Sequence, residues 1–466
     1  MPLVIDFPPD TYCLRPGEQP LYGTFPELKK CVQWFIAQLP EGDWTARRED
    51  IARRFYQSLV GERTDLDATG RYFKARDMFG WYLFLGESFN DHPWNYEVFF
   101  GSRVVPILGA IGRNLDLLLT LEGFVERARS IATTERGQPN AGLFEILVAA
   151  AYARAGWRVR FKPTEPGKQK TYDLDAEKGR RRFAVECKRM EGGEYVEAER
   201  ARMRELWHIP CMGLLQKENR STYLDVRFKV ELAGVPDDYL LLRVIEFLKS
   251  AMPARLWDDD IASGVIGDLD LNPIQEALKK DVILHPGPVF NKLLTGSSRP
   301  YDSMIEITRL KYARCPHYID ALDLAVIARW SSHSEAAIDK KARDIQSKLV
   351  EANRQLPSDI PGVIHIGFEA LSGDFVEKRR YDKIMDRVFA FDRGKSRLEF
   401  VYCHYFAPET NPEEVWAINE TLQWMANDRR QNNRPLRDIL LLLPEGHGPT
   451  RKGVHWDGGG VTAGAR

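Results

Sequence analysis

The stretch Tyr172–Arg189, YDLDAEKGRRRFAVECKR, decides how the chain is read. Written as two strands, it sorts by face, because successive side chains of a strand point to opposite sides. In the second strand Phe183, Val185 and Cys187 point one way and Ala184, Glu186 and Lys188 the other. In the first, Tyr172, Leu174 and Ala176 take the apolar side and Asp173 and Asp175 the opposite one. The polar turn Glu177-Lys178-Gly179-Arg180, with its glycine, suits a hairpin loop. Two neighbouring strands thus present carboxylates and one lysine to a common surface. That pattern is expected of a divalent-metal site with a cation beside it.

Charge around the hairpin indicates what such a site would act on. The 466-residue chain carries a net charge of −1, yet residues 158–189 hold eleven Lys or Arg against five Asp or Glu. A basic patch enclosing carboxylates suits a phosphodiester bound beside metal ions. Most charge runs are only solvated strand faces; here acids share those faces beside an apolar core.

Upstream, residues 141–153 read AGLFEILVAAAYA, an apolar helix with one charged side chain, Glu145, started by Pro139 and Asn140. A buried Glu is costly unless it is paired or coordinates a cation. Glu145 is therefore a metal-facing candidate. The competing readings are placement near the helix N-terminus, worth about 0.3–1 kcal/mol, and a pair with a nearby arginine. Gly156 ends the helix, and Trp157, Val159 and Phe161 alternate with Arg158, Arg160 and Lys162 as a half-buried strand.

The order helix with Glu, strand, strand with Asp, strand with Glu-x-Lys resembles the PD-(D/E)XK nuclease superfamily. Asp173 matches the first motif acid, although Tyr172 stands where the name-giving proline would be. Glu186-Cys187-Lys188 matches the second half-motif and Glu145 the helix acid; the close resemblance spans residues 141–189. Two other acid-x-Lys tripeptides, Glu27-Leu28-Lys29 and Asp339-Lys340-Lys341, lie in segments of helical periodicity and follow no Asp-bearing strand.

The resemblance implies an α/β, restriction-endonuclease-like mixed sheet flanked by helices, and a Mg²⁺- or Mn²⁺-dependent endonuclease. Asp173, Glu186 and the backbone carbonyl of Cys187 would hold the ion, with Glu145 assisting and Lys188 acting on the attacking water or the phosphorane. Arg180, Arg181, Arg182 and Arg189 are the expected phosphate contacts, and Asp175 and Gln355 are accessory candidates. The partner is nucleic acid, DNA ahead of RNA, in a defence or mobile-element setting by analogy. The alternatives are an RNA-directed nuclease with the same site, or a catalytically silent scaffold that binds nucleic acid or protein.

Composition bounds the rest. With 44% hydrophobic and 29% charged residues the chain has ordinary globular usage. No segment approaches the ~20 apolar residues of a membrane span, and the start, MPLVIDFPPDTY, lacks signal-peptide character. Six scattered cysteines without Cys-x-x-Cys suit a reducing cytoplasm. Residues 1–135, with 15 basic against 19 acidic residues, form a mostly helical domain suited to a protein partner or homodimer. Residues 136–190 and about 336–445 are the expected nuclease core, with 191–335 an insertion or second α/β subdomain and 446–466 a disordered Gly-rich tail. Within these, strands are expected at 223–232, around Met304, and in VIHIGF, LEFVYCHYF and DILLLLP, with helices after Pro236 and, unbroken, over 336–356.

Overall fold

The computed structural model of the chain describes residues 9–14, 23–59, 76–163, 171–190, 192–296, 304–313, 318–409, 416–426, 433–437, 439–443, 454–457 and 463–464. The chain is α/β, with two mixed sheets and helices against them. Helices α1 (Pro26–Ala37), α2 (Asp43–Leu59), α3 (Met78–Asp91), α4 (Val98–Arg113), α5 (Leu115–Leu118) and α6 (Phe124–Ala132) come first. Helix α3 is apolar nearly all round and buried from Phe79 to Gly86, so it runs through the interior. These helices do not close a core of their own. Their apolar residues join a single cluster with the next helix and one face of the first sheet, extending from Leu28 to Leu442.

That next helix, α7 (Asn140–Arg154), is buried from Gly142 to Ala153. Its small residues let it lie close on the sheet, and Gly156, at φ +76°, turns the chain out of it. Strands β1 (Arg158–Phe161), β2 (Leu174–Lys178) and β3 (Arg181–Met190) follow as an antiparallel set. Lys178 pairs with Arg181, which leaves Gly179-Arg180 as a two-residue turn with Gly179 at φ +60°.

Beyond β3 come α8 (Glu194–Trp207), α9 (Gly213–Lys217), β4 (Thr222–Phe228), α10 (Tyr239–Lys249), β5 (Ala254–Asp258), β6 (Ala262–Asp268), α11 (Asn272–Leu278), β7 (Ile283–Leu284), α12 (Pro288–Thr295), β8 (Met304–Tyr312) and β9 (Tyr318–Ser332). Their strands make a second sheet, ordered β5-β6-β4-β9-β7 with β8 also on β9. Its two faces carry separate apolar clusters, one with α8 and α10 and the other with α11 and α12.

Helices α13 (Glu335–Lys341) and α14 (Gln346–Asn353) then lead to β10 (Gly362–Glu369), α15 (Asp374–Phe389), β11 (Leu398–Glu409), β12 (Ala417–Ala426) and β13 (Ala463–Gly464). The first sheet runs β1-β2-β3-β10-β11-β12-β13, parallel across β3-β10-β11 and antiparallel outside them. All of the second sheet is therefore interposed between two strands, β3 and β10, that are neighbours in the first. Strand β10 is buried from Gly362 to Phe368, with α7 on one face and α14 and α15 on the other.

Several expectations change. The strand expected at 223–232 stops at Phe228, and Leu232–Gly234 form a short 3-10 turn. The helix expected over 336–356 breaks at residues 342–345: Arg380 Nη2 donates to the Lys341 carbonyl at 3.3 Å, and Asp344, ahead of the new start, accepts the Gln346 amide at 2.9 Å. DILLLLP is no strand over its described residues. The amides of Leu441, Leu442 and Leu443 donate to the Glu420 carboxylate at 2.7, 2.9 and 3.3 Å instead of to a ladder. The described part of the tail is packed: Trp456 is buried against Tyr405, and His455 Nδ1 lies 2.8 Å from Thr421 Oγ1. No described helix is long and apolar enough to cross a membrane.

Candidate active site

Strand β3 projects Glu186 and Lys188 from one face, as their spacing requires. Glu186 is fully inaccessible and Lys188 is 5% exposed. The Lys188 ammonium sits 2.8 Å from Glu186 Oε1 and 2.9 Å from Oε1 of Glu351, a half-exposed residue of α14. Helix α14 reaches this position because Leu349 and Ala352 pack with Ala184, Ile364 and Ile366. Burial alone would push the Lys188 value down. Glu186 and Glu351 more than offset it, so the value is raised and the ammonium stays charged at neutral pH. The same contact, with help from Lys348, holds the Glu351 carboxyl at about 2.

Asp173 occupies a bend immediately before β2. Its amide donates to the Val185 carbonyl at 3.1 Å, and its carbonyl accepts from Lys162 at 2.8 Å. Its Oδ2 accepts the Cys187 amide at 2.7 Å, which pins the carboxylate beside the Glu-Cys-Lys segment. Because the regular ladder begins only at Leu174, strand alternation does not carry across Asp173. Tyr172 consequently leaves the apolar face assigned to it and joins Ala184 and α14, with its hydroxyl donating to Asp175 Oδ1 at 2.9 Å.

Cys187 points to the opposite face, into the core under α7. Burial pushes its thiol well above the ordinary value; Asp173, Glu145 and Glu186 push it further and Lys188 opposes them. The thiol itself stays protonated and behaves as a small hydrophobe. Glu145, however, is held at both oxygens by Arg127, Nε to Oε2 at 2.6 Å and Nη2 to Oε1 at 3.1 Å. Arg127 also binds Glu135. The arginine pair is the reading of Glu145 that the geometry carries.

Asp175, 2% exposed, is surrounded by cations: Arg182 Nη2 at 2.8 Å, Arg160 Nη2 at 2.9 Å and Lys162 Nζ at 3.6 Å. Burial pushes its carboxyl up, but bonds from Arg182, Arg160 and Tyr172 outweigh that and leave it lowered. It is an anchor for side chains rather than a free ligand. The basic run is dispersed. Arg180 is exposed in the turn, while Arg181 donates to the Asn433 carbonyl and lies over Trp157 and Phe183 on the α7 side. Arg189, only 6% exposed, lies 3.5 Å from Glu369 and 5.0 Å over Phe406, so it packs instead of facing a phosphate. Gln355 follows Glu351 by one turn; its Nε2 is 3.5 Å from the Glu351 carbonyl and its Oε1 is buried without a hydrogen-bond partner.

Among the described residues no three His, Cys, Asp or Glu side chains form a metal cage. Two carboxylates, Asp173 and Glu186, with the Cys187 carbonyl are a hard-oxygen set. Such a set suits Mg²⁺, which keeps several waters and takes few protein ligands, and it does not suit zinc. The sequence reading missed Glu351, Arg127, and the roles of Arg160 and Lys162. Only the last two had a signal, the alternation of cations in 158–162.

The chain matches no family model, no curated protein and no solved structure. Its residues alone carry any functional reading.

Proposed function

We propose that the chain is a metal-dependent nuclease of the restriction-endonuclease-like fold, hydrolysing phosphodiester bonds in DNA. The observation that carries this reading is the fully buried Glu186 facing Lys188 at 2.8 Å, beside an Asp173 fixed on the Cys187 amide. Nothing in packing calls for two acids and a lysine there, since burying charges costs several kcal/mol each before pairing. The succession of α7, antiparallel β1-β2-β3 and parallel β3-β10-β11 supports the fold reading.

Asp173, Glu186 and the Cys187 carbonyl would hold Mg²⁺ or Mn²⁺. When bound, the ion supplies charge neutralisation at the scissile phosphate and a water of lowered pKa. Lys188, kept protonated by its two carboxylates, acts as a fixed cation for charge developing on the phosphoryl oxygens. Glu145 contributes through Arg127 rather than at the ion. A cytoplasmic setting and a homodimer, which would let one site per chain cut both strands, belong to the same reading.

The test offers supercoiled plasmid, single-stranded DNA and structured RNA with Mg²⁺, Mn²⁺ or EDTA. Metal-dependent cutting of DNA is expected. Cutting of RNA alone would change the substrate, and no cutting of any substrate would leave the silent scaffold.

A further inference from the structure

We infer that Arg160, Lys162 and Arg182, gathered by the buried Asp175, form a phosphate-binding subsite for a nucleic-acid strand on the face that bears Glu186 and Lys188. The ligand class rests on the nuclease reading above; the site itself rests on geometry. Register puts Arg160, Asp175 and Ala184 in one row across β1, β2 and β3. Ala184 is two residues before Glu186, so the row lies about 7 Å along β3 from the acidic pair. Arg158, Glu177 and Arg182 form the next row outward on the same face.

Three cations converge on one carboxylate that is itself 2% exposed, so within this group of four cations outnumber the acid by two. Asp175 fixes the cations but cannot consume all their donors. Arg160 and Arg182 remain 44% and 42% exposed and Lys162 30%, with N–H groups left for solvent or an incoming oxyanion. Guanidinium groups held in this way lose little further freedom on meeting a phosphate, and their planar fork matches its oxygens. Lys162 is also steadied over the Tyr172 ring at 5.4 Å. Along the strand, Arg158, Arg160 and Lys162 recur every second residue, about 7 Å apart, a step comparable with that of successive phosphates on an extended strand. Two acids temper the field: Glu177 lies 3.4 Å from Arg182, and Glu122 4.0 Å from Arg160.

The experiment is binding of a fluorescein-labelled, mixed-sequence single-stranded DNA to the full chain in EDTA, followed by anisotropy across a salt series. EDTA removes hydrolysis, so the outcome does not depend on catalysis. Each cation contacting a phosphate adds about 0.7 to the slope of log K against log salt for a single strand. The double variant Arg160→Gln/Lys162→Gln is expected to bind about tenfold more weakly at low salt, with a slope smaller by about 1.4. Glu177→Gln, a 44% exposed position whose replacement does not threaten the fold, is expected to bind more tightly, because it removes the negative charge facing Arg182. An unchanged slope in the double variant, no gain in Glu177→Gln, or no binding by the wild type would each overturn the subsite. A wild type that cuts with Mg²⁺ while the double variant cuts with equal KM would remove the subsite and leave the hydrolysis standing. Binding that behaves as expected without cutting would do the reverse.

Discussion

Replacing Lys188 by methionine removes the cation 2.8 Å from a fully buried carboxylate. At pH 7 Glu186 must then stay charged in the interior or take up a proton. Protonation costs about 1.4 kcal/mol for each pH unit above a glutamate's ordinary 4.3, or about 3.7 kcal/mol at pH 7. That lies within the ~3–5 kcal/mol typical of stripping one partner from a buried pair. The reverse change, Glu186→Gln, leaves Lys188 its bond to the half-exposed Glu351 at 2.9 Å, and costs about 1 kcal/mol. The double variant Glu186→Gln/Lys188→Met returns to within about 1 kcal/mol of the wild type. Urea unfolding followed by tryptophan fluorescence measures all three. In Lys188→Met the folded chain binds a proton that the unfolded chain does not, so stability is lost as pH rises above the unfolded value. The deficit should therefore shrink by about 2.7 kcal/mol between pH 7 and pH 5. A Lys188→Met protein destabilised by less than about 1 kcal/mol, equally at both pH values, would refute the dependence of Glu186 on Lys188.

Other residues give independent tests. His404 and His365 share a buried hydrogen bond at 3.0 Å, and burial, with Arg189 adding to it, holds His404 at about 3. Its folded value lies below the unfolded one, so wild-type stability falls by about 1.4 kcal/mol per unit on its account as pH drops from about 6.5. His404→Gln should show an acid limb of urea midpoints shallower by that amount. Glu420 is the opposite case: burial pushes its carboxyl up to about 7 although three amides oppose this. Wild-type stability is therefore lost as pH rises from about 4.5 to 7, and Glu420→Gln should remove about 1.4 kcal/mol per unit from that slope in the same titration. Cys187→Ser should cost about 1–3 kcal/mol for a buried hydroxyl and leave cleavage intact. A folded but inactive Cys187→Ser protein would point to thiol chemistry instead.

The hairpin was legible because strand alternation and a two-residue turn are local rules, and Gly179 satisfies the turn by itself. Helix α7 was legible because its apolar run is bounded by Asn140 and Gly156. Alternation failed two residues outside the ladder, at Tyr172, because nothing local marks where pairing with β3 stops. The break between α13 and α14 was hidden because apolar spacing continues through it. What ends α13 is Arg380, almost forty residues later in the chain, and only Asp344, a capping residue type, hinted at a new start. DILLLLP has strand composition, but its amides are taken by Glu420. In the candidate site Glu186 and Lys188 of β3 were legible since their spacing fixes their face. Glu351 was not, being one acid among many on a helix, and neither was Arg127, whose pairing with Glu145 is set by the packing of α6 on α7. Strands β5, β6 and β12 were overlooked because exposed or half-buried, mixed sequences dilute the alternation, and β9 because its centre, Leu324–Ala328, is buried on both faces.

The most direct measurement compares plasmid cleavage by the wild type and Glu186→Gln in Mg²⁺ and in EDTA, with both proteins shown by urea unfolding to be folded. Cutting by the wild type in Mg²⁺ only, and none by the variant, is expected. Equal cutting by both proteins, or cutting that persists in EDTA, would contradict it.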